Sequence, residues 1–143
     1  MIRAILIVCA ILVAGCAGGG GGTSGPGPAS VPVSEQAPAG FAEKSAKTHT
    51  ELGTLYLQSG NLAVALEEAR IAAAVDPNYA PAYNLMGLVH VLLNQSAQAQ
   101  AALERAIQLA PGDPQIANDY GWFLCQNGRE QEAFKYFFAA AGN

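Results

Sequence analysis

Glycine recurs at positions 53, 87 and 121, an interval of 34 residues each time. Ala65, Ala99 and Ala133 keep that interval, as do Ala72, Ala106 and Ala140, and Pro77 with Pro111. Bulky residues follow it too, in the sets Leu52, Met86, Tyr120 and Tyr56, His90, Leu124. A period of this length points to stacked supersecondary units, each too small to bury its apolar face alone. Glycine in mid-helix costs about 1 kcal/mol relative to alanine. Its retention in three units predicts that the two helices of each unit approach closely there, glycine against the small Ala65, Ala99 or Ala133 of the second helix. The set Ala72, Ala106, Ala140 should then seat the following unit. Pro77 and Pro111 stop the second helices, because proline cannot extend the hydrogen-bond ladder. Asp113-Pro114 reads as an N-cap followed by proline at the first helical position. Gly60-Asn61, Asn94-Gln95 and Gly128-Arg129 mark the turns inside the units. First helices are predicted near 41–58, 80–93 and 114–127, second helices near 62–75, 96–109 and 130–141.

This register resembles the tetratricopeptide repeat, a helix–turn–helix unit. The resemblance implies an all-α superhelical array over residues 41–143, with units 46–79, 80–113 and an incomplete 114–143. Terminal repeats normally carry a polar outer face. The last helix here instead runs Ala133-Phe134-Lys135-Tyr136-Phe137-Phe138. The expectation is that the chain is truncated, that more repeats follow in the natural product, or that a partner covers this face.

The region before the repeats has a different composition. Met1–Arg3 form a short basic start, followed by the apolar run AILIVCAILVA from Ala4 to Ala14. As a helix that run reaches roughly 16 Å, well short of a ~30 Å hydrocarbon core, so residues 1–15 read as a signal peptide and not a spanning helix. The run ends in Leu12-Val13-Ala14-Gly15-Cys16, which resembles the lipobox of bacterial lipoproteins and makes Cys16 the expected lipidation site. Cys9 follows the bulky, β-branched Val8 and is assigned to the apolar core of the signal. The plainer reading is a cleavable signal with an incidental cysteine, against which charge, core length and lipobox agree in order. By resemblance to Gram-negative lipoproteins, Ala17 and Gly18 after the cysteine favour the outer membrane. Residues 17–40 are mostly Gly, Pro, Ala and Ser with a single charge, Glu35. With almost nothing to bury, such a segment behaves as a tether of roughly 25–30 Å root-mean-square span. Its run Gly18–Gly22 lacks the following Lys-Ser/Thr of a phosphate loop.

Chemistry is sparse in what remains. The chain carries 7 Lys+Arg against 11 Asp+Glu, which argues against a nucleic-acid surface. Three cysteines, at 9, 16 and 125, are too few and too scattered for a disulfide framework or a zinc site. Cys125, the remaining thiol of a mature chain, reads as packing. His49 and His90 fall at packing positions of first helices with no acidic or cysteine partner at ligand spacing, and read as partly buried helical histidines. Glu67-Glu68 reads as a solvated outer face. There is no Ser/His/Asp order, no HExxH and no phosphate loop, so no catalytic residue, metal site, cofactor or small-molecule substrate is expected, apart from the covalent lipid on Cys16.

Repeats of this kind line a concave face with their first helices. By that resemblance the groove takes Lys47, Thr50, Thr54, Leu57 and Gln58 from the first unit and Pro81, Asn84, Leu88, Val91 and Leu92 from the second. The third supplies Gln115, Asn118, Trp122, Cys125 and Gln126. Asn84 and Asn118 are 34 apart, and their amides offer donor and acceptor to an extended peptide. Leu88, Val91, Leu92 and Trp122 form an apolar strip between them. The alternative assigns Trp122 and the leucines to inter-helix packing and leaves the asparagines only to cap or solvate. The candidate binding set is Asn84, Leu88, Val91, Asn118, Trp122 and Gln126. Thr50, Thr54, Leu85, Gln115 and Asp119 stand where some such domains place a basic clamp for a C-terminal carboxylate, which disfavours that ligand.

The stretches GNLAVALEEARIAAAVDPNYAPAYNLMGLVH (60–90) and NDYGWFLCQNGREQEAFKYFFAA (118–140) resemble the type IV pilus biogenesis/stability lipoproteins, the PilF/PilW-type pilotins. That resemblance implies an outer-membrane lipoprotein facing the periplasm, which helps the pilus secretin reach that membrane and form its multimeric ring. The chain departs from the family in stopping after three units and in its poly-Gly tether. A repeat scaffold for another envelope assembly, such as barrel insertion or peptidoglycan synthesis, is the alternative; a regulatory subunit of a cell-wall enzyme is a weaker one.

Overall fold

Three left-handed residues set the folding pattern: Gly60 at φ 78°, Asn94 at φ 56° and Gly128 at φ 73°. Each sits in a three-residue turn that reverses the chain between two helices. Asparagine serves at the middle turn because it tolerates this region better than other side-chain-bearing residues. The computed structural model describes residues 40–142; the predicted signal, Cys16 and nearly all of the tether lie outside the described residues. Six helices follow in order: α1 Phe41–Gln58, α2 Leu62–Val75, α3 Ala80–Leu92, α4 Ser96–Leu109, α5 Pro114–Gln126 and α6 Glu130–Ala141. They pair as α1–α2, α3–α4 and α5–α6, and among the described residues there is no strand. None of these helices is long and apolar enough to cross a membrane.

The helix boundaries have local causes. α2 and α4 end at Val75 and Leu109, two residues before Pro77 and Pro111. α5 begins with Pro114 at its first position, and the Asp113 carboxylate accepts from the backbone N–H groups of Gln115 (2.9 Å) and Ile116 (3.0 Å). Replacing such a cap with alanine leaves those donors unpaired. Asp113→Ala is expected to cost about 1 kcal/mol, or roughly 4–8 °C in melting temperature for a domain of this size, measurable by thermal circular dichroism.

The glycines do bring helices together, but Gly87 and Gly121 meet different neighbours from those expected, and Gly53 meets more than Ala65. A Cβ on Gly87 would lie 2.5 Å from Leu103 Cγ, and one on Gly121 would lie 2.8 Å from Phe137 Cε1. Leu103 and Phe137 are themselves 34 apart, so these units use glycine to admit a large side chain of the second helix. At Gly53 the equivalent residue is the small Ala69, and the space is filled by Leu85 of the next unit, 2.7 Å from the virtual Cβ, and by the Ala65 carbonyl at 3.2 Å. Ala65, Ala99 and Ala133 are fully buried in the adjoining clusters.

The second alanine set does seat the following unit. Ala72 clusters with Ala46 of its own unit and Ala82 of the next, and Ala106 with Ala80 and Ile116. Larger residues fill the rest of each seam: Leu85 and Val89 against Ala65 and Ala69, then Tyr120, Phe123 and Leu124 against Ala99 and Leu103. α1 touches α3 and α3 touches α5, while α2, α4 and α6 make no contact with one another. The stack is therefore tighter along its first helices, and these form the inner wall of a superhelical array.

Candidate functional site

The inner wall is made by α1, α3 and α5, and the six candidate residues fall on the last two. On α5, Asn118, Trp122 and Gln126 are spaced four apart and all exposed, Trp122 to 46%. Residues at that spacing lie one above another on a helix, so they make a continuous stripe. On α3, Leu88 and Val91 are partly buried and Asn84 is buried. Val91 packs against the core joining the second and third units. With Phe123 and Gln126 it also lines a shallow hollow of about 170 Å³ between α3 and α5, closed off by Asn94, Ser96 and Asn127. Leu92, just past Val91, is 53% exposed. Cys125 is partly buried against the same core.

Asn84 and Asn118 are not equivalent in their surroundings, although their register is. Asn118 faces solvent. The Asn84 amide is drawn into the α3–α5 seam, where its Nδ2 donates to Asp119 Oδ2 at 2.6 Å; Gln115 Nε2 donates to Asp119 Oδ1 at 2.9 Å. Asn84 Oδ1 is buried without a partner. Asn84 thus ties two units together, and the exposed amides of the wall are those of Asn118 and Gln126, with the Gln115 amide held by Asp119. The cause is Asp119, which replaces the apolar residue found at the same register in the second unit, Leu85.

Two further side chains stand apart from the sequence reading. Glu68 does not lie on a solvated face: its Oε2 accepts from His49 Nδ1 at 2.8 Å across the α1–α2 pair, so His49 does have an acidic partner. Glu67 is the solvated member of the pair. His90 is buried and donates from Nδ1 to Gln95 Oε1 at 2.7 Å, tying the end of α3 to the turn before α4. Among the described residues no group of three or more His, Cys, Asp or Glu side chains could hold a metal ion.

The α4–α5 seam also holds a perturbed phenol. Tyr120 OH donates to Glu104 Oε1 at 3.2 Å, and burial, followed by the nearby Glu104 charge, pushes its pKa up to about 12. A folded-state pKa above the ordinary value of 10 means that the neutral phenol stabilises the fold below pH 10 and that this contribution is lost as pH rises toward 12. An absorbance titration is expected to show a tyrosinate forming near pH 12 that Tyr120→Phe removes, with stability declining over the same interval.

The comparisons with known proteins agree with this geometry. Residues 84–143 match the family described as Tetratricopeptide repeat. The type IV pilus assembly protein PilF of Pseudomonas aeruginosa is 26% identical over 99 residues, covering 69% of this chain and 39% of the relative. The solved structure of that PilF superposes with a TM-score of 0.67 at 26% identity, over 70% of this chain and 45% of PilF. PilW, described as a widely conserved type IV pilus biogenesis factor, gives 0.66 at 26% identity over 68% of this chain and 45% of its own. MamA gives 0.59 at 28% identity, over 68% of this chain and 57% of its own. The chain thus spans less than half the length of the pilus proteins it matches. Residues 84–143 thus carry the tetratricopeptide repeat, within an all-α repeat array similar in sequence and fold to the type IV pilus proteins PilF and PilW.

Proposed function

We propose that this chain is a non-enzymatic, lipid-anchored adaptor of the outer membrane that captures an extended segment of pilus secretin subunits and promotes their assembly into a ring. The observation that carries this reading is the stripe Asn118, Trp122, Gln126: a half-exposed indole between two free amides on the inner wall of an array similar to PilF and PilW. Such a surface suits an extended peptide, whose backbone is read by amides and whose side chains pack on the aromatic ring. The lipid on Cys16 and the tether of residues 17–40 would hold the wall near the membrane. One acyl chain gives only marginal anchoring, while two or three make attachment effectively permanent. Anchoring raises the effective concentration of adaptor for client at the place where the ring forms.

The test places a photoreactive phenylalanine at Asn118 or Gln126 and irradiates living cells. The expected adduct contains the pilus secretin, and deleting the encoding gene should deplete secretin multimers from the outer membrane. Normal multimers in the deletion strain would overturn the pilus assignment. Adducts with components of barrel insertion or peptidoglycan synthesis would transfer the adaptor role to those assemblies.

A further inference from the structure

The outward faces of α1 and α6 are the two halves of one seam. Inside the chain, the second helix of each unit receives the first helix of the next through a fixed register. Ala72 meets Ala82 and Ala106 meets Ile116. The first-helix residues Val89 and Phe123, 34 apart, are 0% and 2% exposed in these seams. Carrying the register back one step puts Thr48 where Ala82 and Ile116 stand, Leu52 where Tyr120 stands, and Leu55 where Val89 and Phe123 stand. Leu55 is 62% exposed on the outer face of α1, with Leu52 exposed beside it. Carrying it forward puts Ala140 in the place of Ala72 and Ala106, and Phe134 and Phe138 in the places of Gln100 and Glu104. Phe134 and Phe138 are 64% and 69% exposed on α6, their ring centroids 5.5 Å apart. The internal pair Glu104–Tyr120, joined by a hydrogen bond, thus has Phe138 and Leu52 as its terminal counterpart, apolar on both sides.

We propose that copies of this chain associate head to tail, α6 of one docking on α1 of the next in the register of the internal seams. A second copy is the occupant that the geometry favours, because it alone carries both faces and continues an interface the chain already makes twice. A partner that covers α6 alone leaves Leu52 and Leu55 exposed. A contact between two different faces cannot close as a two-fold dimer, and continued in the superhelical register of the internal seams it advances along the stack, so the product is an open row of copies. In such a row the inner walls join and their α5 stripes repeat, which would let one row hold several segments of a repetitive client at once.

Cysteines at the small-residue contact of the seam test this in the full chain in cells. In a Cys125→Ala background, Thr48→Cys and Ala140→Cys are introduced singly and together, and the cells are treated with a short bis-maleimide. The double variant is expected to give a ladder of multiples of the chain mass. The two single variants, co-expressed, should give one band at twice the mass, and each alone should stay monomeric. Adding Leu55→Glu and Phe138→Glu to the double variant should reduce the ladder at least tenfold; both residues are exposed, and unchanged far-ultraviolet circular dichroism of the purified variant checks the fold. A double variant that stays monomeric would overturn the proposal. So would a single variant that crosslinks to itself, since that requires like faces to meet.

Discussion

Leu103→Ala is expected to cost about 3–4 kcal/mol and to lower the melting temperature by more than ~12 °C, followed by urea and thermal unfolding of the purified chain. Leu103 is fully buried and belongs to the cluster that joins the second and third units, so its removal opens a cavity at the centre of the array. Its side chain also supplies all three of the atoms nearest a virtual Cβ on Gly87. The same experiment therefore explains the glycine. Gly87→Ala alone should destabilise by about 1 kcal/mol, since overpacking costs about 1–3 kcal/mol and the gain in helix propensity returns only about 1. In the Leu103→Ala background the clash is gone and propensity remains, so the same substitution should stabilise by up to about 1 kcal/mol. A reversal of sign in the double-mutant cycle is the expected signature. Additive effects would mean that glycine recurs here for a reason other than contact with Leu103.

That cycle also marks where the sequence was legible and where it was not. The interval of 34 established which residues are equivalent, and equivalence was enough to place the six helices, the turns at Gly60, Asn94 and Gly128, and the seating of Ala72 and Ala106. Backbone geometry repeats from unit to unit, so a pattern of small residues and breakers encodes it directly. Side-chain partners do not repeat. Glycine faces Leu103 in one unit, Phe137 in another and Leu85 of the following unit in the first, because the residue opposite it changes size from Ala69 to Leu103 to Phe137. Asn84 and Asn118 share a register, yet Asp119 buries one and leaves the other free. The signal for that difference was present: a carboxylate stands at 119 where the second unit has Leu85, and a charge at a seam position calls for a partner across it. His49 and Glu68 escaped notice for a related reason. They are 19 residues apart on antiparallel helices, a separation that carries no fixed spacing rule.

Substituting Trp122 and Phe123 in turn should separate binding from folding at neighbouring positions. Trp122 is half exposed on the inner wall, whereas Phe123, one residue on, is buried in the seam against Ala99 and Leu103. Phe123→Ala removes a core aromatic and is expected to cost about 3–5 kcal/mol, enough to unfold much of a marginally stable array. Trp122→Ala removes an indole that touches the core with only part of its surface, so its cost to stability should stay within about 1 kcal/mol. Its effect on partner capture should be far larger. A central indole flanked by amides has the composition of a binding hot spot, where truncation costs about 2–4 kcal/mol, a loss of roughly 30-fold to several hundredfold in affinity. The readout is the yield of the in-cell crosslink from Asn118 or Gln126, together with the affinity of the purified chain for the captured segment. Trp122→Phe retains an aromatic face and should restore part of both. If Trp122→Ala unfolds the chain as Phe123→Ala does, the indole is a packing residue. If it leaves crosslinking unchanged, the partner does not lie along α5. Either result removes the inner wall from the account of what this array holds.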